Sequence, residues 1–170
     1  MKKVFGIVGW SGSGKTDLIC RIIESLKRKN ICVASIKHSH HNFEIDKKGK
    51  DSFNHLNSGS NEVIIYNEKK FAMISSLKKK KITLKNILEK FSSENQIILI
   101  EGLKKSKIPK IEVIRSSIKK PYIFIEDNSV KGIVCDDECK KLPKNNLPRF
   151  NFIETEKISD FILRYLKNGF

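Results

Sequence analysis

The sequence predicts a doubly wound α/β fold: a mostly parallel sheet with helices on both faces and a hairpin extension. Three observations carry that reading. Short apolar runs typical of buried strands alternate with stretches of helical periodicity. The first such run leads straight into a glycine-rich loop and then into an amphipathic helix. A second strand follows within the first 36 residues, giving a βαβ unit and hence a parallel pairing with a right-handed crossover. At 170 residues the chain fits one domain spanning 1–170, long enough to bury a core without staples.

Residues 3–9 (Lys-Val-Phe-Gly-Ile-Val-Gly) read as a buried strand; no small-residue cleavage site follows them, so they are not read as a signal peptide. Past the loop, Ile19, Ile22, Ile23 and Leu26 recur at i, i+3, i+4 and i+7 and mark one face of a helix ending near Lys29-Asn30. Ile31 to Ile36 make the second strand. Lys37 to Lys50 is polar and irregular, and a short helix from Asp51 to about Asn57 is stopped by Ser58-Gly59-Ser60. Glu62 to Tyr66 and Phe71 to Ile74 flank Asn67-Glu68-Lys69-Lys70 as a hairpin. Thr83 caps a helix carrying Leu84, Ile87, Leu88 and Phe91 on one face. Gln96 to Ile100 is a continuous apolar strand that ends in Glu101-Gly102. Ile111 to Ile114 and Tyr122 to Ile125 read as further strands, and Ile158, Phe161, Ile162 and Tyr165 share a face of the last helix.

The loop after the first strand, Gly9-Trp10-Ser11-Gly12-Ser13-Gly14-Lys15-Thr16, matches G-x-x-x-x-G-K-[ST] at every fixed position. Its glycines let successive backbone N–H groups converge on phosphate oxygens, and the helix that starts near Lys15 adds its N-terminal dipole. In such a loop the lysine, here Lys15, reaches the β- and γ-phosphates, and the hydroxyl of Thr16 ligates Mg²⁺. Glu101, at the end of a buried strand, is the best-placed acid for the magnesium shell; Lys15 and Glu101 are the residues assigned to any turnover. Because a strand precedes the loop and an amphipathic helix follows it, a phosphate site is expected here and not a bare turn.

Other features are weighed against it. The net charge of +15, from 34 basic and 19 acidic residues, raises a nucleic-acid partner. Arginine is confined to Arg21, Arg28, Arg115, Arg149 and Arg164, however, and arginine is the residue suited to bidentate phosphate and base readout. The abundant lysine, Ile and Asn fit a general A/T-rich codon bias, so nucleic acid is not expected, although the field attracts anions. The longest apolar runs span a few residues, against roughly 20 for a membrane helix, so a cytoplasmic location is expected and no membrane partner. Cys20, Cys32, Cys135 and Cys139 suggest no disulfide framework, and Cys135 to Cys139 encloses three acids without a second pair to complete a zinc site. The segment Lys37 to Ser52 places His38, His40, His41, Asp46 and Asp51 past the C-terminal end of the second strand, the edge where open α/β sheets bind ligands. On its own spacing it is a surface loop as readily as a metal site.

Taken in order, G-x-V-G-W-S-G-S-G-K-T, then I-K-H-x-H-H-x-F-x-I-D-x-x-G-K-D-S, then I-E-G-L-K and P-K-I-E-V-I-R (Pro109 to Arg115) resemble the MobB family of molybdopterin-guanine dinucleotide biosynthesis adaptor proteins. Val134-Cys135-Asp136-Asp137 adds a fourth match, so the resemblance spans nearly the whole chain. It implies a GTP-binding protein of molybdenum-cofactor maturation. Such a protein assists the guanylyltransferase that joins a guanine nucleotide to molybdopterin, has weak GTPase activity at most, and forms a homodimer. Carried over by position, Gly9, Trp10, Ser11, Gly12, Ser13, Gly14, Lys15, Thr16 and the adjoining Asp17 hold GTP and Mg²⁺, with Glu101 beside the metal. His38, Asp46 and Asp51 face the nucleotide or the phosphate of molybdopterin or its guanine dinucleotide. Departures are Asp17 where a second Thr is usual, Lys48 for Pro, Leu103 for Phe, and the more polar Asn57-Ser58-Gly59-Ser60. Asp17 suits the helix dipole and opposes phosphate. No N-K-x-D guanine-reading motif is present, so guanine specificity comes from the resemblance alone.

The leading reading is thus a GTP-binding adaptor. A small-molecule or nucleotide kinase using ATP is the alternative, opposed by the scarcity of arginine for a lid; a nucleic-acid-dependent ATPase comes third. Arg115 is the one candidate arginine finger, with a structural role preferred for it. The edges of the 62–74 hairpin are the expected dimerisation surface.

Overall fold

A computed structural model of the chain describes residues 3–39, 43, 45–77, 81–136 and 142–167. Its contacts divide it into two units, Met1–His38 with Phe91–Phe170, and Ser39–Lys90.

The first unit is built on six strands: β1 (Lys3–Gly9), β2 (Val33–Lys37), β5 (Ile97–Glu101), β6 (Lys110–Ile114), β7 (Val130–Cys135) and β8 (Arg149–Asn151). They lie in the order β2-β5-β1-β6-β7-β8, and every neighbouring pair is parallel. Strands covered on both sides read as unbroken apolar runs, and Ile97-Ile98-Leu99-Ile100 is buried throughout. Two long helices, α1 (Lys15–Arg28) and α4 (Thr155–Lys167), share one core with Phe5, Ile7, Leu99 and Val113. On α1 the buried positions are Leu18, Ile19, Ser25, Ile22 and Leu26, so the apolar face is rotated toward Leu18 and leaves Ile23 half-buried. Each fully buried Leu or Ile stabilises by roughly 1.5–3 kcal/mol. Phe5 meets Phe161 and Tyr165 of α4 edge-on, with ring centroids 6.4 and 6.0 Å apart. At the helix seam the Ser25 hydroxyl donates to Glu156 at 2.9 Å, and Glu156 pairs with Arg28 at 2.7 Å.

The opposite face of β6 carries Lys110 and Glu112, both buried. The Glu112 carboxylate accepts the backbone N–H groups of Ile123 and Phe124, at 2.9 and 2.8 Å. Residues expected as a strand, Tyr122 to Ile125, are therefore a 3-10 turn at Ile123–Ile125: their N–H groups go to a side chain instead of a ladder. The strands past it, β7 and β8, have weak local signals; β8 is three residues long and exists by pairing with β7. The second strand begins at Val33, two residues later than the apolar run suggests.

The second unit holds α2 (Asp51–Asn57), an antiparallel hairpin of β3 (Glu62–Tyr66) and β4 (Phe71–Ser75), and α3 (Leu84–Glu89). The Asn67 carboxamide oxygen accepts from the N–H groups of Lys69 and Lys70, closing the hairpin turn. Thr83 and Asn86 form a reciprocal capping box at the start of α3. Ile64, Tyr66, Phe71 and Met73 are exposed. Among the described residues no helix is long and apolar enough to cross a membrane.

Candidate phosphate-binding site

Parallel strands bring all their carboxyl ends to one edge of the sheet, and the site lies there, where β1 passes through the glycine-rich loop into α1. Gly9 has φ 152°, and a Cβ there would lie 2.4 Å from the Val113 carbonyl oxygen and 2.7 Å from Ser13 Oγ, so no side chain fits. Gly14 caps the helix in the left-handed region at φ 89°. Ser13 is buried beneath the loop, while Ser11 and Gly12 are exposed. Trp10 is pinned by a hydrogen bond from its indole N–H to the Pro121 carbonyl, 2.8 Å.

The Lys15 ammonium folds back on the loop, donating to the Trp10 carbonyl at 2.7 Å and approaching Ser13 Oγ at 3.5 Å. Burial lowers its pKa; the carboxylate of Glu101 opposes that, and the like charges of Lys104 and Lys37 reinforce it. Three cations therefore feel one another at this edge.

Thr16 Oγ1 donates to Glu101 Oε1 at 3.0 Å. The β1–β5 register pairs Ile7 with Glu101, which sets the carboxylate beside the first turn of α1. Lys37 Nζ stands 3.9 Å from the same carboxylate. A hydroxyl and a carboxylate in contact are the hard oxygen donors that magnesium takes from a protein, with phosphate oxygens and water completing its octahedron. Among the described residues no three of His, Cys, Asp and Glu converge to hold a metal by themselves; the Thr16–Glu101 pair offers two such oxygens.

Asp17 is turned aside. It pairs with Arg21 at 2.9 Å, and Arg21 also donates to the Phe152 carbonyl at 2.6 Å and to Thr155 Oγ1. The acid that opposed phosphate on sequence grounds is thereby matched to an arginine that ties α1 to the start of α4.

His38 reaches the edge. Its N–H bonds the Glu101 carbonyl at 2.9 Å, and its own carbonyl lies 3.2 Å from where a Cβ on Gly102 would stand. His40 and His41 lie outside the described residues, as does Cys139. Asp46 and Asp51 belong to the second unit, where Asp46 accepts the Lys47 N–H and Asp51 opens α2.

Three further residues from the motifs that carry the resemblance, Lys104, Arg115 and Asp136, stand at this edge, and none of them is assigned to the site by sequence. The Arg115 guanidinium lies 3.6 Å over the Phe152 ring and against Gly14, and Asp136 accepts the N–H and hydroxyl of the adjoining Ser116. Lys104 places its ammonium 3.5 Å from the centre of the Trp10 ring. The rule that picked out Glu101, a charged residue at or just past the end of a buried strand, also finds all three.

The chain is similar to known proteins over nearly all of this frame. A model of the family described as molybdopterin guanine dinucleotide synthesis protein B matches residues 4–136. The molybdopterin-guanine dinucleotide biosynthesis adapter protein of Haemophilus influenzae is 38% identical over 125 residues, 73% of this chain and 70% of that protein. The Escherichia coli protein of the same description is 26% identical over 171 residues, covering 98% and 95%. A crystal structure of molybdopterin-guanine biosynthesis protein B superposes with a TM-score of 0.72 at 28% identity, over 95% of this chain and 98% of that one. Bacillus subtilis MobB superposes at 0.75 with 22% identity, over 95% and 96%, which shows the fold.

Proposed function

The chain belongs to the molybdopterin guanine dinucleotide synthesis protein B family, and from that premise we propose that it is a GTP-binding adapter that assists a partner guanylyltransferase. Its place in molybdopterin-guanine dinucleotide biosynthesis, as an adapter, is what the family and its curated relatives have in common. The observation that carries the nucleotide reading is the 3.0 Å contact between Thr16 and Glu101 beside a complete phosphate loop.

In this reading the backbone N–H groups of residues 12–16 cradle the phosphates. Lys15 exchanges its hold on the Trp10 carbonyl for phosphate oxygens, a more favourable partner for a half-buried ammonium. Thr16 and Glu101 would hold magnesium, whose charge screens the β- and γ-phosphates when it is bound. Glu101 is committed to Thr16 and the metal. No other described group is assigned to activate water, so GTP turnover is slow and binding is the working step. Guanine is supported by the molecule after which the related proteins are named, and His38 is the residue proposed toward the nucleotide or the pterin phosphate.

The homodimer proposed with it is supported by the hairpin, whose exposed Ile64, Tyr66 and Phe71 lie on strands with unpaired edges among the described residues. Sedimentation at micromolar concentration gives a dimer mass; a monomer counts against it.

The decisive experiment is calorimetric titration with GTP and with ATP, each with magnesium, on the wild-type chain and on Lys15→Ala. Preference for GTP, lost in the variant, supports the reading. Equal affinity or preference for ATP leaves the phosphate loop standing and brings back a small-molecule kinase. Undiminished GTP affinity in Lys15→Ala would sink the site itself.

A further inference from the structure

We propose that Lys104 binds the terminal phosphate of the nucleotide and makes this loop discriminate a nucleoside triphosphate from a diphosphate, with Trp10 as its resting partner. The inference rests on the nucleotide reading above and adds to it a residue, a selectivity and a reporter.

The placement comes from the chain path. After Glu101 the backbone turns through two successive left-handed residues, Gly102 at φ 93° and Leu103 at φ 55°. The second of these is not glycine, and such a conformation costs on the order of 1–2 kcal/mol; backbone strain of this kind gathers at functional sites. The turn carries Lys104 back over the phosphate loop. Its main chain is then held from below, because the buried Lys110 ammonium donates to the Lys104 carbonyl at 2.9 Å.

The side chain is anchored far less firmly than the backbone. Its ammonium sits 3.5 Å from the Trp10 ring centre, and among the described residues no hydrogen bond or ion pair takes its protons, Glu112 acting on it only through space. A lysine–aromatic contact at a partly exposed site holds weakly, whereas an ammonium on phosphate makes a charge-assisted hydrogen bond. A ring face is thus a place the ammonium can leave. The electrostatics agree, since Lys104 and Lys37 both push the Lys15 ammonium toward losing its proton, with Glu101 the one carboxylate in opposition. Glu112, buried on β6, offsets part of the Lys104 charge, and three cations against these two acids still leave a surplus that a polyphosphate would neutralise.

Which phosphate follows from direction. Thr16 and Glu101 mark the metal-bearing end of the phosphate chain, where the β- and γ-phosphates lie. Lys104 lies in the connection from β5 to β6, where its carbonyl takes the Lys110 ammonium of β6 and its own ammonium stands over Trp10 of the loop. Lys15, the lysine that reaches the β- and γ-phosphates, feels Lys104 as a like charge, so the phosphate proposed for Lys104 is the one at that end of the chain.

Trp10 is the only tryptophan of the chain, so its emission reports on this contact without labelling. Wild type, Lys104→Met and Lys104→Arg, as full chains, are titrated with GTP and GDP in magnesium by Trp10 fluorescence and by calorimetry. Methionine keeps the aliphatic packing on the ring and removes the charge; arginine keeps the charge. Lys104→Met is expected to weaken GTP about tenfold, the value of one charge-assisted contact, with GDP changed less than about twofold. Lys104→Arg retains the GTP preference, and wild-type Trp10 emission shifts more with GTP than with GDP. Equal weakening of both nucleotides, or of neither, in a folded Lys104→Met overturns the proposal. A wild-type chain that binds neither nucleotide overturns the nucleotide reading instead, and the proposal with it.

Discussion

Two clusters of charge occupy neighbouring strands of one sheet and are completed in opposite ways. On β6, the buried Lys110 ammonium has three acceptors for its three protons: the Lys104 carbonyl, the Ser106 carbonyl and Asp127. Glu112, buried two residues on, has a backbone N–H on each carboxylate oxygen. At the carboxyl edge of β1 and β5, Lys15 and Lys37 share the carboxylate of Glu101, and Lys104, another like charge on Lys15, feels Glu112 only through space. Where the chain closes every charge itself, the cluster is structural, since a buried ion left alone is very costly. Where it leaves cations in surplus, the field there attracts anions. The two are coupled, because the closed cluster fixes the backbone of Lys104 and the open cluster uses its side chain.

Mutations that cut the closed cluster should therefore act on stability, and those in the open one on binding. The largest effect is expected for Lys110→Met, which strands Asp127 and two carbonyls; about 3–5 kcal/mol of unfolding free energy should vanish in urea denaturation. A loss below about 1 kcal/mol would break the contrast between the clusters.

Acid should attack the same pair. Burial pushes the Asp127 carboxyl up, but the hydrogen bonds from Lys110 and from the Ser129 N–H and hydroxyl outweigh it and bring the pKa down from 3.8 to about 2. A depressed carboxylate stabilises the fold above its unfolded value, and that contribution disappears as pH falls from 3.8 through about 2. Stability against pH for wild type and Asp127→Asn should converge at the acid end. Glu112 has the opposite sign: burial raises its pKa, against the pull of the Ile123 and Phe124 N–H groups. Its contribution to stability falls as pH rises from 4.5 through the folded value, and a Glu112→Gln series should lack that slope.

Smaller still is the stability change expected in the open cluster. Lys15→Ala removes a charge that burial and two neighbouring lysines disfavour, so its unfolding free energy should lie within about 1 kcal/mol of wild type or above it, while nucleotide binding is lost. Destabilisation comparable to Lys110→Met would show that the edge, too, is structural. The smallest effect belongs to Glu156→Gln, on the exposed α1–α4 seam: despite partners in Arg28, Lys29 and Ser25, exposed pairs contribute little. Its denaturation midpoint should be indistinguishable from wild type.

The phosphate loop, β1, α1 and β5 with Glu101 were legible because each is written in contiguous residues: a motif, an apolar run, a helical period. The 3-10 turn at Ile123–Ile125 was not, since its β-branched residues have strand propensity and only the carboxylate of Glu112, on another strand, takes their N–H groups. The three residues of β8 are likewise too few for periodicity; pairing with β7 makes them a strand. The pairing of Asp17 with Arg21 was not read from the sequence, because Arg21 is itself held by Phe152 and Thr155, remote in sequence.

By itself, then, the sequence determined that this is a P-loop protein with an acid at a strand end, and its motif order pointed to the family, because those features depend on local backbone freedom and residue type. Only the tertiary structure decided which charges are closed and which are open. Lys104 and Lys110 are the same residue type six positions apart, and the sequence does not tell them apart. The fold buries one against Asp127 and two carbonyls and leaves the other on an aromatic face beside the phosphate loop. A charge takes its role from the groups within a few ångströms of it, and those are assembled only when the distant strands meet.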